Sequence, residues 1–332
     1  MTAFFLGGGA AMAAAGFTHG PWGLAAALAV MGAFSAIYHP IGTAIIAEAG
    51  GERVGRAMGI NGVFGNLGVA LAPIVTAFLA AQLGWRWAFV IPGVLCMAIG
   101  LAYLREPAFD ARKAGVQTRP FPAIPKPIVR QAVVSLLLIA TVSGLVFNAY
   151  TLLIPKLMEE RLASSPELLP VVGMLAFLAT ICGGVAQYTV GRMIDRMTLK
   201  RVFMPLAVVL VPGLLALSFL DGWIVLPLAG LMAAAIFGQV TVNETMTARY
   251  VAPELRAKLY SVRFTVGFLG AALASPLVGF LHGATGNLAL AMVVLAGVAG
   301  VTLACAIWFP NRPEELDPAL WERAGPRAAP AE

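Results

Sequence analysis

The stretch Gly191-Arg192-Met193-Ile194-Asp195-Arg196-Met197-Thr198-Leu199-Lys200-Arg201 sets one acid and four bases between two long apolar runs, 168–190 and 202–220. Each run is about 20 residues. At about 1.5 Å per residue, that is the length a helix needs to cross a hydrocarbon layer about 30 Å thick. The stretch therefore reads as a short charged loop between two membrane spans. Gly191 permits a tight turn there. Asp195 is of the type that caps, or charge-pairs with, the end of a neighbouring helix.

Working outward, the same alternation covers the chain. Ten apolar runs are long enough to span: 2–18, 22–48, 57–82, 87–104, 131–158, 168–190, 202–220, 223–248, 257–281 and 287–309. The 332 residues are 60% hydrophobic and 11% charged. A soluble domain carries about 25% charged residues, so the surplus apolar surface must face lipid. The first run lacks a basic segment before it and continues into another run, so it is a span and not a signal peptide. When the loops are assigned alternately to two sides, only Arg86, Lys156 and Arg161 of the 22 lysines and arginines fall on the side opposite Met1. Cytoplasmic loops carry the excess of Lys and Arg, which puts both termini in the cytoplasm. The net charge of +6 is then a topology signal, and no nucleic-acid partner is expected. Cys96, Cys182 and Cys305 are scattered without metal-ligand spacing, and neither metal nor cofactor is expected.

The longest connection, 105–130, carries five prolines and six bases and reads as a cytoplasmic linker. It divides the chain into a first bundle of four spans (1–104), a second of six (131–309) and a cytoplasmic tail (310–332), the tail being disordered or a short surface helix. The two bundles echo each other. Glu48 precedes Arg53 by five residues, and Glu244 precedes Arg249 by five. Arg56 then opens a helix with Gly65, Gly68 and Pro73, as Arg256 opens one with Gly267, Gly270 and Pro276. Parallel repeats of this kind mark transporters built from two halves. In this register the fifth and sixth spans have no counterpart in the first bundle.

The 191–201 loop resembles the cytoplasmic loop signature of the major facilitator superfamily, with Thr198 in place of a usual glycine. Arg53–Phe89, with Gly65-Asn66-Leu67-Gly68, Ala72-Pro73 and Gly84-Trp85-Arg86-Trp87, is similar to the fourth-to-sixth-helix region of that superfamily. With Tyr38-His39-Pro40 it looks closest to the fosmidomycin-resistance-like branch. Ala72-Pro73 is followed by Thr76-Ala77, not by the glycine pair of the drug-antiporter signature. The resemblance implies an all-α fold of two helical bundles, here four plus six with the first two helices missing. It implies a latch made by Gly191, Asp195, Arg196, Lys200 and Arg201, whose charge pairs break as the two halves rock. It also implies a monomeric secondary carrier in the bacterial inner membrane, working on a small organic solute with a proton as coupling ion. A non-transporting remnant of such a carrier is the alternative, and a membrane receptor or enzyme a remoter one.

Ionisable groups inside spans are costly and count as functional candidates. Glu48 and Glu244 lie about one turn from the cytoplasmic face near Arg53 and Arg249. These are end-of-helix ion pairs or gating and coupling groups. His39 sits mid-span beside Pro40, which is expected to kink its helix; it is either a hydrogen-bonded core residue or a titratable one. Arg263 is expected to snorkel from a loop. Asn66, Asn148, Tyr150, Gln187 and Asn243 are uncharged polar residues that either line a substrate pathway near the midplane or hold helices together. Gly62, Gly65 and Gly68 are expected to pack the third span against a neighbour. Trp85, Arg86 and Trp87 are expected to anchor the periplasmic interface.

Overall fold

In a computed structural model the apolar runs are helices, and the described residues are 1–106, 122–162, 172–317 and 320. The middle of the linker, 107–121, and most of the tail, 318–332 apart from Leu320, lie outside the described residues. Helix α1 spans Thr2–Ala15 and α2 spans Gly20–Ser35. A π turn at Tyr38–Gly42 leads into α3, Thr43–Gly50. Then come α4 (Val54–Leu83), α5 (Trp87–Tyr103), α6 (Lys126–Leu162) and α7 (Val172–Ile194). The last four are α8 (Leu199–Phe219), α9 (Val225–Tyr250), α10 (Pro253–Thr285) and α11 (Ala289–Trp308). The described residues contain no strand. Seven helical segments are long and apolar enough to cross a membrane; one of them, Gly20–Leu83, runs through α2, α3 and α4. Thr2–Ala15 and Trp87–Tyr103 are shorter apolar helices.

Local chemistry explains the boundaries. Pro40 lacks an N–H, so the regular i→i−4 ladder is broken at that point, and the chain slips into the wider π turn. Gly84 (φ +92°) ends α4, and Gly286 (φ +72°) ends α10 with its N–H on the His282 carbonyl at 2.8 Å. Both are in the left-handed region that side chains disfavour.

The contacts divide the chain into two compact units, Met1–Ile46 with Gly68–Thr118, and Ala47–Leu67 with Arg119–Glu332. In the first unit α1 packs along α5 through glycine. A Cβ at Gly9 would lie 2.7 Å from the Gly93 carbonyl, and one at Gly93 would lie 2.6 Å from the Ala13 nitrogen. Arg86 donates to the Gly16 and Thr18 carbonyls at 3.2 and 3.4 Å, tying the start of α5 to the end of α1.

In the second unit α9 is the centre, buried without a break from Ala235 to Gln239 and from Thr241 to Ala248. It packs along α7 and α8, while α6 runs along α10 and α8 along α11. Small residues allow this: Ala229, Ala233 and Gly238 on α9, Ala291, Ala296 and Ala299 on α11. Lipid tails are as apolar as leucine, so close packing of such residues holds spans together. A Cβ at Gly144 of α6 would overlap the Gly267 carbonyl of α10, and one at Gly270 would lie 2.7 Å from the Thr141 carbonyl. The expected packing role of the third-span glycines holds only for Gly62, whose Cβ would meet the Gln187 side chain. Gly65 and Gly68 have nothing within 4 Å of a Cβ.

The start of the tail also differs from expectation. Pro313–Glu315 forms a 3-10 turn, and Glu315 is buried at 8% exposure. Helix α6 begins at Lys126, within the stretch read as linker.

Candidate functional site

The 191–201 loop is built on two helix ends. Residues 191–194 complete α7, and Arg196 and Met197 donate back to the Met193 carbonyl at 3.0 and 2.8 Å. Asp195 is thereby turned toward the start of α4. Its Oδ1 accepts the Gly55 N–H at 2.9 Å and its Oδ2 the Arg56 N–H at 3.0 Å. The first N–H groups of a helix have no partner within the helix and carry the positive end of its dipole, so a carboxylate satisfies both needs. Burial pushes the Asp195 carboxyl up, against the two N–H donors and the charges of Arg249 and Arg53. Gly191 does not make the turn. It lies inside α7, where a Cβ would come within 3.0 Å of the Gly59 Cα, so its role is to let α4 approach. Thr198 uses its hydroxyl, donating to Asn311 Oδ1 at 2.7 Å. Lys200 donates to the Ile307 carbonyl, and Arg196 and Arg201 are exposed.

Arg249, at the end of α9, gathers this loop. It donates to the Ile194 carbonyl at 2.6 Å and faces both Asp195 and Glu315. Glu315 accepts the Leu199 N–H at the start of α8 and the Tyr250 hydroxyl at 2.8 Å. Burial lifts its carboxyl to about 7 against the pull of Arg249, Tyr250 and Leu199. One acid on the tail thus ties the start of α8 to the end of α9.

The expected pairings of Glu48 with Arg53 and Glu244 with Arg249 do not form. Arg53 faces Asp195, and Glu48 faces Arg256. Glu244 and Arg249 share α9, where residues five apart point about 140° away from each other, and Glu48 and Arg53 are separated by the end of α3 and Gly51 (φ +50°). Glu244 instead faces Arg263 of α10. Both are buried, at 4% and 7% exposure. The Tyr260 hydroxyl donates to the Glu244 carbonyl at 2.7 Å, and the Arg263 guanidinium sits 4.7 Å from the centre of the Phe264 ring. Arg263 is therefore an interior residue and not a snorkelling one. Its signal was the spacing Arg256, Tyr260, Arg263, which repeats at one turn and lays three polar groups on one side of α10.

The uncharged candidates separate into two groups. Asn66 donates to the Thr180 carbonyl of α7 at 3.3 Å, and its side chain lies against Gly183 and Gly184. Gln187 is buried between Gly59 and Gly62, and its Oε1 has no hydrogen-bond partner among the described residues. Asn243 Oδ1 and Thr241 Oγ1 on α9 are likewise buried without partners. Leaving such an atom unmatched costs about 1–3 kcal/mol. By contrast, Tyr150 is fully buried and donates to the Ala229 carbonyl at 2.6 Å, joining α6 to α9. Asn148 donates to the Gly144 carbonyl of its own helix at 2.9 Å. His39 belongs to the first unit, half-buried on the π turn with its ring edge-on to Tyr38 at 5.4 Å.

The sequence model of the Major Facilitator Superfamily matches residues 1–184 and 136–331. The chain belongs to the major facilitator superfamily. It is a multi-pass membrane protein of a transporter family, not of an enzyme family. Its fold is similar to that of the E. coli fucose:proton symporter FucP, with a TM-score of 0.66 and 14% identity over 93% of this chain and 82% of that one. It is also similar to the human organic anion transporter MFSD10, with a TM-score of 0.70 and 17% identity over 93% and 76% of the two chains. A 41-residue stretch is 46% identical to the probable hexose phosphate transport protein of Chlamydia pneumoniae, covering 12% of this chain and 9% of that protein. The chain thus aligns with about a tenth of the length of that curated relative.

Proposed function

We propose that the chain is a secondary active transporter that exports a small organic solute across the bacterial inner membrane in exchange for protons, with both termini cytoplasmic. The buried Glu244, facing Arg263 inside the spans, carries the coupling part of this reading. An acid at that depth is costly and is retained where it does work. Asp195 on the start of α4 supports alternating access, because its two bonds, to the Gly55 and Arg56 N–H groups, join the loop after α7 to another helix and can be broken without unfolding either. Asn66, Gln187 and Asn243 are the side chains proposed to contact solute. The direction of transport rests on the branch resemblance of Arg53–Phe89.

Proteoliposomes with a trapped pH dye test it. Fucose, glucose 6-phosphate and an organic dicarboxylate form the first panel, chosen from the chemistry that the relatives' names specify. A solute gradient is expected to drive proton movement in the wild type. Glu244→Gln is expected to lose gradient-driven flux while keeping solute exchange. Flux without proton movement in the wild type, or full gradient-driven accumulation in the variant, would remove Glu244 from coupling.

A further inference from the structure

The starts of α6 and α10 enclose a groove of about 550 Å³ that the transport reading does not use. That volume is within the range of about 300–1,000 Å³ typical of small-molecule sites. Val129 and Val133 of α6 and Leu255, Leu259 and Val262 of α10 form its apolar walls, and Lys258 is the one charged residue among the described residues that line it. Tyr250, at the end of α9, and Pro122–Ile124, before α6, also line it. Arg256 and Tyr260, on the other side of α10, turn toward α9 by bonding the carbonyls of Ala248, Val251 and Glu244. Leu255 and Val262 are left 53% and 50% exposed.

The level of the groove decides what fits it. Helices α6 and α10 are 37 and 33 residues long, against the roughly 20 needed to cross the hydrocarbon. The excess length, with the exposed bases Lys126, Arg130 and Lys258 near their starts, fits first turns that reach the headgroup layer. At that level Val133 and Val262, deeper along their helices than Lys258, would face acyl chains and Lys258 the headgroups. Lys126 and Arg130, both exposed, lie within a turn of the lining residues of α6, and Glu254 is the acid nearby on α10. Among the described residues, three cations against one acid, above an apolar slot, match an amphiphile with a negative head.

We propose that this groove binds an anionic phospholipid of the cytoplasmic leaflet, one acyl chain lying on Val133 and Val262 and the phosphate at Lys258. The orientation is the one read from the basic loops. A zwitterionic lipid of the same chain length offers the slot the same tail but a head with no net charge. The head therefore decides occupancy.

The test is native mass spectrometry of the purified full chain titrated with phosphatidylglycerol or phosphatidylcholine. Wild type is expected to retain phosphatidylglycerol several-fold more than phosphatidylcholine. Lys258→Glu is expected to lower phosphatidylglycerol retention about fivefold or more, on a contribution of about 1 kcal/mol per surface cation. Val262→Trp, which fills the slot and leaves the charges in place, is expected to lower it as well. Glycerol 3-phosphate, which has the head without the tail, is expected not to compete. Equal retention of the two lipids, or a Lys258→Glu protein indistinguishable from wild type, overturns the proposal. A dimer that Val262→Trp abolishes would assign the groove to a second copy of the chain and overturn it too. Solute flux is read separately, so its absence would bear on the transport reading alone.

Discussion

Replacing Asp195 tests how much one carboxylate does at the loop. The structure gives it two acceptors, Oδ1 on the Gly55 N–H and Oδ2 on the Arg56 N–H. In Asp195→Asn the amide oxygen keeps one bond, and the amide NH2 faces the other N–H with nothing to accept. The lost bond and the lost interaction with the helix dipole together cost about 1.4 kcal/mol. That is about tenfold in the equilibrium between bound and released α4. Asp195→Ala removes both bonds, at about 2.5 kcal/mol or roughly seventyfold. The group is half-exposed, so water takes over part of each loss, and these figures are upper values. Hydrogen exchange of peptides covering Val54–Gly59 reads the change directly, because the Arg56 amide has Asp195 as its acceptor in the bound state. Exchange there is expected to speed up in the order wild type, Asn, Ala, with α9 peptides unchanged. Transport is expected to fall several-fold in Asp195→Asn while membrane insertion stays intact. Exchange within twofold of wild type in both variants would refute the account of Asp195 as the holder of α4.

Two further outcomes follow from the packing and from the tail. Gly144→Ala is expected to destabilise the second unit by about 1–3 kcal/mol, because its Cβ overlaps the Gly267 carbonyl, and Gly65→Ala is expected to stay within about 0.5 kcal/mol; melting temperatures in detergent that rank the two the other way would sink the α6–α10 packing argument. Glu315 has its folded pKa lifted from 4.5 to about 7, so the stability it contributes is complete below about pH 4.5 and is lost as pH rises through about 7. Thermal unfolding between pH 4.5 and 8 is expected to show that loss in the wild type and a flatter curve in Glu315→Gln, and parallel curves would show that Glu315 does not titrate there.

The helical runs were legible because crossing a bilayer imposes a length and a composition that can be counted along the chain. Partners were not legible, and the reason is rotational. Glu244 and Arg249 stand five residues apart, and the repeat with Glu48 and Arg53 made each pair look self-sufficient. A helix turns about 500° over that distance, so the two side chains leave it on different sides. Glu244 then meets Arg263 on α10, and Arg249 meets Asp195 and Glu315 at the loop. The repeat thus preserves the position of charges relative to the helix ends while hiding which helix each one addresses.

The glycines carry the same lesson in a second form. Gly65 and Gly267 occupy comparable places in the repeat, yet Gly267 lies where a Cβ on Gly144 would strike its carbonyl, and Gly65 meets nothing. A missing side chain permits close approach but does not say whether a neighbour takes it up. From its place before the charged loop Gly191 reads as a turn residue, yet it is a contact residue inside α7. The loop's function depends on that difference. A glycine in the turn would loosen Asp195, whereas a glycine inside α7 brings α4 close enough for the carboxylate to reach the Gly55 and Arg56 N–H groups of its first turn. The signature's glycine and its aspartate are then parts of one contact, the first setting the distance at which the second can bond.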